Sequence, residues 1–159
     1  MSPDERTVYV ATVHDRRTNI FALSTEDGSA VWKMQAKAGF FASPELSQDG
    51  SLLYLCDMER YLYQFYADTG NEKQVFRISE YESPLREMPG KGVKSSPKVT
   101  KEGVAYVAVE SGRFIALDMV NGKLKWEYDL GDCEYLAYIC NPVLSCETAE
   151  GKVWSDEAC

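Results

Sequence analysis

The apolar and polar positions of this chain repeat. The runs Val8-Tyr9-Val10-Ala11, Leu53-Tyr54-Leu55-Cys56 and Ala105-Tyr106-Val107-Ala108 are nearly continuous in apolar character, as expected for strands covered on both faces. A second apolar run follows each: Ile20-Phe21-Ala22-Leu23, Leu62-Tyr63-Gln64-Phe65 and Phe114-Ile115-Ala116-Leu117. These lead into the tight turns Glu26-Asp27-Gly28, Asp68-Thr69-Gly70 and Val120-Asn121-Gly122, where glycine supplies the positive φ of a hairpin turn. A further strand then carries an aromatic residue. Trp32 and Trp126 stand four residues past their glycines, and Phe76 stands six past Gly70. Ahead of each unit comes a short strand with proline at one fixed place: Ser43-Pro44-Glu45-Leu46-Ser47, Ser96-Pro97-Lys98-Val99-Thr100 and Asn141-Pro142-Val143-Leu144-Ser145. Proline cannot donate to a full ladder, so it belongs at a strand start or sheet edge.

The units align with one another. Residues 46–55 superimpose without a gap on residues 1–10, a third copy covers Val99 to Val107, and a fourth begins at Leu144. A period of about 40 to 50 residues built from several short strands marks an array of blades. The predicted architecture is all-β, with four antiparallel strands per blade, here called A to D, and with the short proline strand A lining a central channel. Blade remnants cover residues 1–36, 40–78 and 93–130, with a partial blade at 139–159. The strand order reads BCD, ABCD, ABCD, AB within a single domain. That makes about three blades, an open arc or part of a larger ring. Two expectations follow from the open ends. Either the chain is a piece of a longer ring, or it closes with other copies or a partner, the Pro142 strand serving as strand A for the next copy.

The segment Ala116-Leu117-Asp118 through Gly122 to Trp126 resembles the A-L-D-x-x-x-G-x-x-x-W signature of pyrroloquinoline-quinone-like β-propeller repeats. Ala22-Leu23 through Gly28 to Trp32 resembles it too, with Ser24 in place of the aspartate. The second copy departs, with Gln64-Phe65 for Ala-Leu and Phe76 as a displaced aromatic. The resemblance spans about residues 7 to 130. It implies closed rings of about six to eight blades, in which Trp32, Phe76 and Trp126 pack on the adjacent blade and lock the stack. Quinone-dependent dehydrogenases of this class carry an adjacent cysteine pair over the cofactor, with calcium ligands near a catalytic aspartate. This sequence has no Cys-Cys dipeptide, and no cofactor, catalytic residue or metal ligand is expected. Members lacking the cofactor residues resemble scaffolds. The expected function is therefore a non-catalytic module for protein–protein interaction or assembly, whose partner is another protein, further blades or a second copy. A fragment of a quinone-dependent dehydrogenase and a small-ligand-sensing propeller are the alternatives.

Charge narrows the choice of partner. The net charge of the 159 residues is −8, and it is uneven: residues 1–126 carry −1, and residues 127–159, with eight acidic groups against Lys152, carry −7. Nucleic acid and anionic membranes both require clustered Lys and Arg, and neither is an expected partner. No apolar run approaches the roughly 20 residues of a membrane-crossing helix. The start lacks the basic and apolar regions of a secretory signal, and the compartment stays open. Cys56 falls where the other copies have Ala11 and Ala108, and reads as a small core residue. The remaining cysteines crowd the tail with no CxxC pair, against a structural zinc site. In an oxidising compartment a Cys133–Cys140 disulfide would cross the last long connection, though four cysteines permit three pairings.

Function is most often added where a repeat is broken. The connection around His14, Asp15, Arg16 and Arg17 is three residues longer than its counterparts, a long insertion runs from Ser79 to Lys94, and the last D-to-A connection spans Gly131 to Cys140. In an antiparallel blade all three share one rim. The candidate interaction rim is His14, Arg16, Arg17, Tyr81, Arg86, Lys91, Tyr135 and Tyr138. A long loop is thermodynamically cheap, so length alone does not distinguish a binding loop from a tolerated one. His14 stands without a second histidine and reads as an exposed side chain.

Overall fold

The computed structural model describes residues 1–14, 17–36, 39–40, 42–78, 92–109 and 112–129. Three antiparallel sheets follow one another along the chain. The first contains β1 (Thr7–His14), β2 (Arg17–Ser24) and β3 (Ala30–Ala36); the second β4 (Glu45–Leu46), β5 (Leu52–Cys56), β6 (Tyr61–Tyr66) and β7 (Glu72–Arg77); the third β8 (Lys98–Val99), β9 (Val104–Val109), β10 (Arg113–Asp118) and β11 (Lys123–Asp129). Within every sheet the spatial order is the sequence order.

The gapless self-alignment is a structural equivalence. Ser2 and Ser47 each donate a backbone N–H across the turn, to the carbonyls of Thr7 and Leu52, both at 2.8 Å. Their hydroxyls hydrogen-bond to Asp4 and Asp49 at 2.6 Å and accept the N–H of Thr7 and Leu52 at 2.9 Å. The serine hydroxyl, the first of several donors, holds the Asp49 carboxyl down at about 2. The turn closes on a left-handed residue, Gly50 at φ 75° in the second copy and Gly103 at φ 79° in the third. In the first copy Glu5 takes that conformation at φ 61°, which costs a residue with a Cβ roughly 1–2 kcal/mol.

Two features of the sheets differ from the sequence expectation. The ladder extends into the long B-to-C connection of the first copy, because β1 and β2 each run for eight residues and pair as far as His14 with Arg17. Thr12, Val13 and Thr18 are β-branched and favour the extended ladder. The second difference concerns the aromatic of strand D. A bulge shifts the register at the same place in each sheet, at Ala22/Leu23, Gln64/Phe65 and Ala116/Leu117. It sets Trp32 opposite Ala22 and Trp126 opposite Ala116. In the second sheet the residue in this place is Gln74, opposite Gln64, while Phe76 lies opposite Leu62. Phe76 therefore stands two ladder pairs further along the strand than the two tryptophans, on the same face.

The core lies between the sheets, and the period of two along β5 divides it. Leu53 and Leu55 join Phe65, Ile20 and Phe40 against the first sheet. Tyr54 and Cys56 join Leu62, Phe76, Val107, Ile115 and Leu117 against the third. Each fully buried large side chain contributes about 1.5–3 kcal/mol. Cys56 is fully buried, and burial pushes its thiol well above the ordinary range. Lys98 and Glu45, on neighbouring A strands, form an ion pair at 2.7 Å.

At the first interface Trp32 reaches across. Its Nε1–H donates to the carbonyl of Ala67 at 2.9 Å, and its ring lies on Gly70, where a Cβ would come within 2.8 Å of Cε3. Gly70 has φ 72°, and Gly28 has the same φ with nothing within 4 Å of a built Cβ. The pair separates backbone strain from contact. Gly28→Ala should cost about 1–2 kcal/mol in urea unfolding, and Gly70→Ala should cost at least about 1 kcal/mol more, because the indole must move.

Candidate interaction rim

The described part of the rim is built on the turn between β5 and β6. Asp57 opens the turn, its N–H donating to the carbonyl of Tyr61 at 3.0 Å and its own carbonyl accepting from Arg60 at 3.3 Å. Arg60 adopts φ 65°. The Asp57 side chain closes the same turn from within. Its Oδ1 accepts the N–H groups of Glu59 at 2.9 Å and Tyr61 at 2.8 Å, and Oδ2 accepts the Tyr63 hydroxyl at 2.8 Å. The residue is fully buried. Burial pushes its carboxyl above the ordinary range, outweighing the hydrogen bonds that pull it down. The Tyr63 phenol is raised as well, by burial first and then by its bond to Asp57.

Tyr63 ties this turn to the core. Its ring meets Phe40 edge-on, with centroids 5.2 Å apart, and stacks on Phe65 at 5.8 Å. Both flanking connections also converge here. Met58 N–H donates to the Gly39 carbonyl at 3.3 Å, Ile78 N–H to the Arg60 carbonyl at 2.8 Å, and Val93 N–H to the Asp57 carbonyl at 3.1 Å. Gly92 lies so close to Met58 that a Cβ would come within 2.4 Å of its Cα. Ile78, just ahead of the Ser79–Lys94 insertion, and Val93, near its end, are thus tied to one turn, and Asp57 is its keystone.

The sequence-expected rim residues are only partly placed. His14 and Arg17 pair at the far end of the β1–β2 hairpin, on the same rim as the Asp57 turn. Arg16, Tyr81, Arg86, Lys91, Tyr135, Tyr138, Cys133 and Cys140 lie outside the described residues. Asp57 was not among the expected residues. Its signal was an acid set directly against the apolar run Leu52–Cys56 and followed by a short polar stretch, the pattern of a side-chain-capped turn.

Among the strand D aromatics, Phe76 is 4% exposed and packed against the third sheet. Trp126 forms a cluster with Tyr106 and Phe114, at centroid distances of 5.7 and 5.8 Å. Trp126 is 43% exposed and Tyr128 63% exposed. On the far side of the first sheet Val10 and Val31 are exposed, and Lys33 lies over the Phe21 ring at 5.2 Å.

Successive antiparallel sheets, stacked face to face with strand D of one reaching the turn of the next, are the blades of a β-propeller. Residues 1–134 match the PQQ-like family described as outer membrane protein assembly factor BamB, and the chain belongs to that family. No curated protein matches it. Among solved structures it is similar to BamB from Moraxella catarrhalis, with TM-score 0.52 and 17% identity over 74% of this chain and 38% of that one. The WD40 repeats of RRP9 and the structure of U3-55K are each similar at TM-score 0.62 and 13% identity, over 81% of this chain and 37% of theirs. The chain thus spans under two fifths of each of these structures.

The raised Asp57 carboxyl has a definite sign in the pH dependence of stability. A carboxyl raised on folding favours the protonated folded state. That contribution is complete below the ordinary carboxyl range and is lost as pH rises through the folded value. Asp57→Asn keeps an oxygen for the turn N–H groups and removes the titration. The stability of the wild type relative to this variant should therefore grow as pH is lowered from 8 to about 4, measured by parallel thermal melts. Asp57→Ala, which orphans the turn donors, should cost roughly 2–3 kcal/mol more than Asp57→Asn at each pH.

Proposed function

We propose that this propeller module is non-catalytic and acts in protein–protein interaction, as a scaffold for assembly. The observation that carries this reading is the outer face of the third sheet. Tyr106, Phe114, Trp126 and Tyr128 form an aromatic surface there. The equivalent faces of the first two sheets are covered by the next blade. A stacked aromatic face left to solvent forgoes about 25 cal/mol for each Å² that a partner would cover. The natural cover is another blade surface, from a second copy or a protein partner.

Two further facts support the reading. The family is described as an assembly factor. Ile78 and Val93, on either side of residues 79–91, are both tied to the Asp57 turn, which supports the expected rim of His14, Arg16, Arg17, Tyr81, Arg86, Lys91, Tyr135 and Tyr138 as the second candidate surface. The acidic balance of the chain disfavours nucleic acid as the partner. No helix of the described residues is long and apolar enough to cross a membrane.

A photo-crosslinking amino acid in place of Trp126 tests this in cells. The expected result is a discrete intermolecular adduct, either with a second copy or with one partner protein, which a probe at the exposed Glu26 of the first sheet does not give. Adducts confined to the chain itself, or none, would overturn the reading. So would a tight spectral complex with pyrroloquinoline quinone and calcium.

A further inference from the structure

Each sheet carries a row of three side chains across strands B, C and D that faces the next sheet. In the first sheet the row is Tyr9, Ala22 and Trp32, and in the third Tyr106, Ala116 and Trp126. The small alanine leaves room for the indole beside the tyrosine, with ring centroids 6.0 and 5.7 Å apart. In the second sheet the row is Tyr54, Gln64 and Gln74. Both the alanine and the tryptophan are replaced, and the tyrosine remains. Gln74 is exposed and fills little of the space an indole takes. Phe76 seals the interface from its position further along the strand but does not reach back to this end.

The result is a cleft of about 610 Å³ between the second and third sheets, walled by Tyr54, Gln64 and Gln74 on one side and Gly103, Met119 and Val120 on the other. That volume falls within the range of small-ligand sites. The opposite wall is the third sheet's equivalent of the one that receives Trp32 at the first interface. Ala67 donates its N–H to the Ser51 carbonyl and Met119 donates to the Gly103 carbonyl, both at 2.9 Å, so Met119 occupies in the third sheet the place of Ala67 in the second. The Ala67 carbonyl accepts the indole N–H of Trp32.

We propose that this cleft is a binding slot for a tryptophan side chain presented by a partner polypeptide. The inference rests on the protein-interaction reading above and gives it a specific ligand. The indole lies between Tyr54 and the Met119–Val120 wall, with its N–H directed to the Met119 carbonyl, as Trp32 does one interface away. Gln64 and Gln74 offer both donors and acceptors, the complement of the peptide groups flanking the tryptophan. The mouth mixes Lys73 and Lys101 with Asp49 and Glu102, which suits a segment of no strong net charge.

The test is titration of the isotopically labelled full chain with the peptide acetyl-Gly-Ser-Trp-Ser-Gly-amide and with its Trp→Ala counterpart, followed by amide chemical shifts. Saturable shifts at Gln74, Gly103 and Met119 are expected with the tryptophan peptide alone. The double variant Gln64→Ala/Gln74→Trp fills the slot from within. It should resist urea better than the wild type and weaken the peptide by roughly tenfold or more. Val120→Arg changes a side chain that is 75% exposed and should weaken the peptide similarly without disturbing the core. Shifts equal for both peptides, shifts elsewhere, no saturable shift, or unchanged affinity in a folded variant would each overturn the slot. An adduct at position 126 alongside such a result would leave the broader interaction reading in place.

Discussion

A sheet that is apolar on both faces is stable in water only between two others, and the contact that fixes how the first sheet here meets the second is the Trp32 indole lying on Gly70. The ring needs an alanine beneath it and a tyrosine beside it in its own sheet, a residue without a Cβ in the next, and a backbone carbonyl for its N–H. These requirements account for much of the repeat. The glycine is doubly constrained, by its positive φ and by the ring, whereas Gly28, with no ring against it, is constrained by φ alone. The blades are thus related by a packing rule as well as by their strand order.

Departures from that rule divide the molecule into two functional ends. On one rim the buried carboxyl of Asp57 organises a turn onto which the connections on both sides are tied, so the long insertion springs from a fixed base. On the opposite rim, between the A-to-B and C-to-D turns, the exchange of alanine and tryptophan for Gln64 and Gln74 opens a cleft between blades. One departure adds chain and the other removes a side chain from an interface. Both leave the ladder hydrogen bonds of the sheets untouched, which is why the fold tolerates them.

Most of the fold was legible in the sequence, because strand runs, turn glycines and proline starts are local signals that recur in register. The aromatic of the second blade was misaligned for an instructive reason. Gln74 stands four residues past Gly70, the same spacing as Trp32 and Trp126 from their glycines, but a glutamine carries no sign of a packing role and the nearby Phe76 drew the assignment. Only the ladder, with the bulge before it, shows which residue takes the tryptophan's place. Asp57 was hidden for a different reason. The turn it caps recurs in the third copy, where Gly112 at φ 79° takes the place of Arg60 and its N–H donates to the Val109 carbonyl at 3.0 Å. Val109 stands there where Asp57 does, so repetition pointed to the turn and not to the acid. The extra residues around His14 read as loop because the comparison was with shorter hairpins, and β-branched residues carried the ladder on instead.

The account rests on stability arising between sheets, with the second held on both faces. Native-state amide hydrogen exchange on the monomeric chain measures this directly. The amides of β5 and β6 should exchange last, at the free energy of global unfolding, and those of β1 and β11 earlier, through openings that leave the middle sheet intact. Exchange from β1 or β11 as slow as that from β5 and β6 would contradict it.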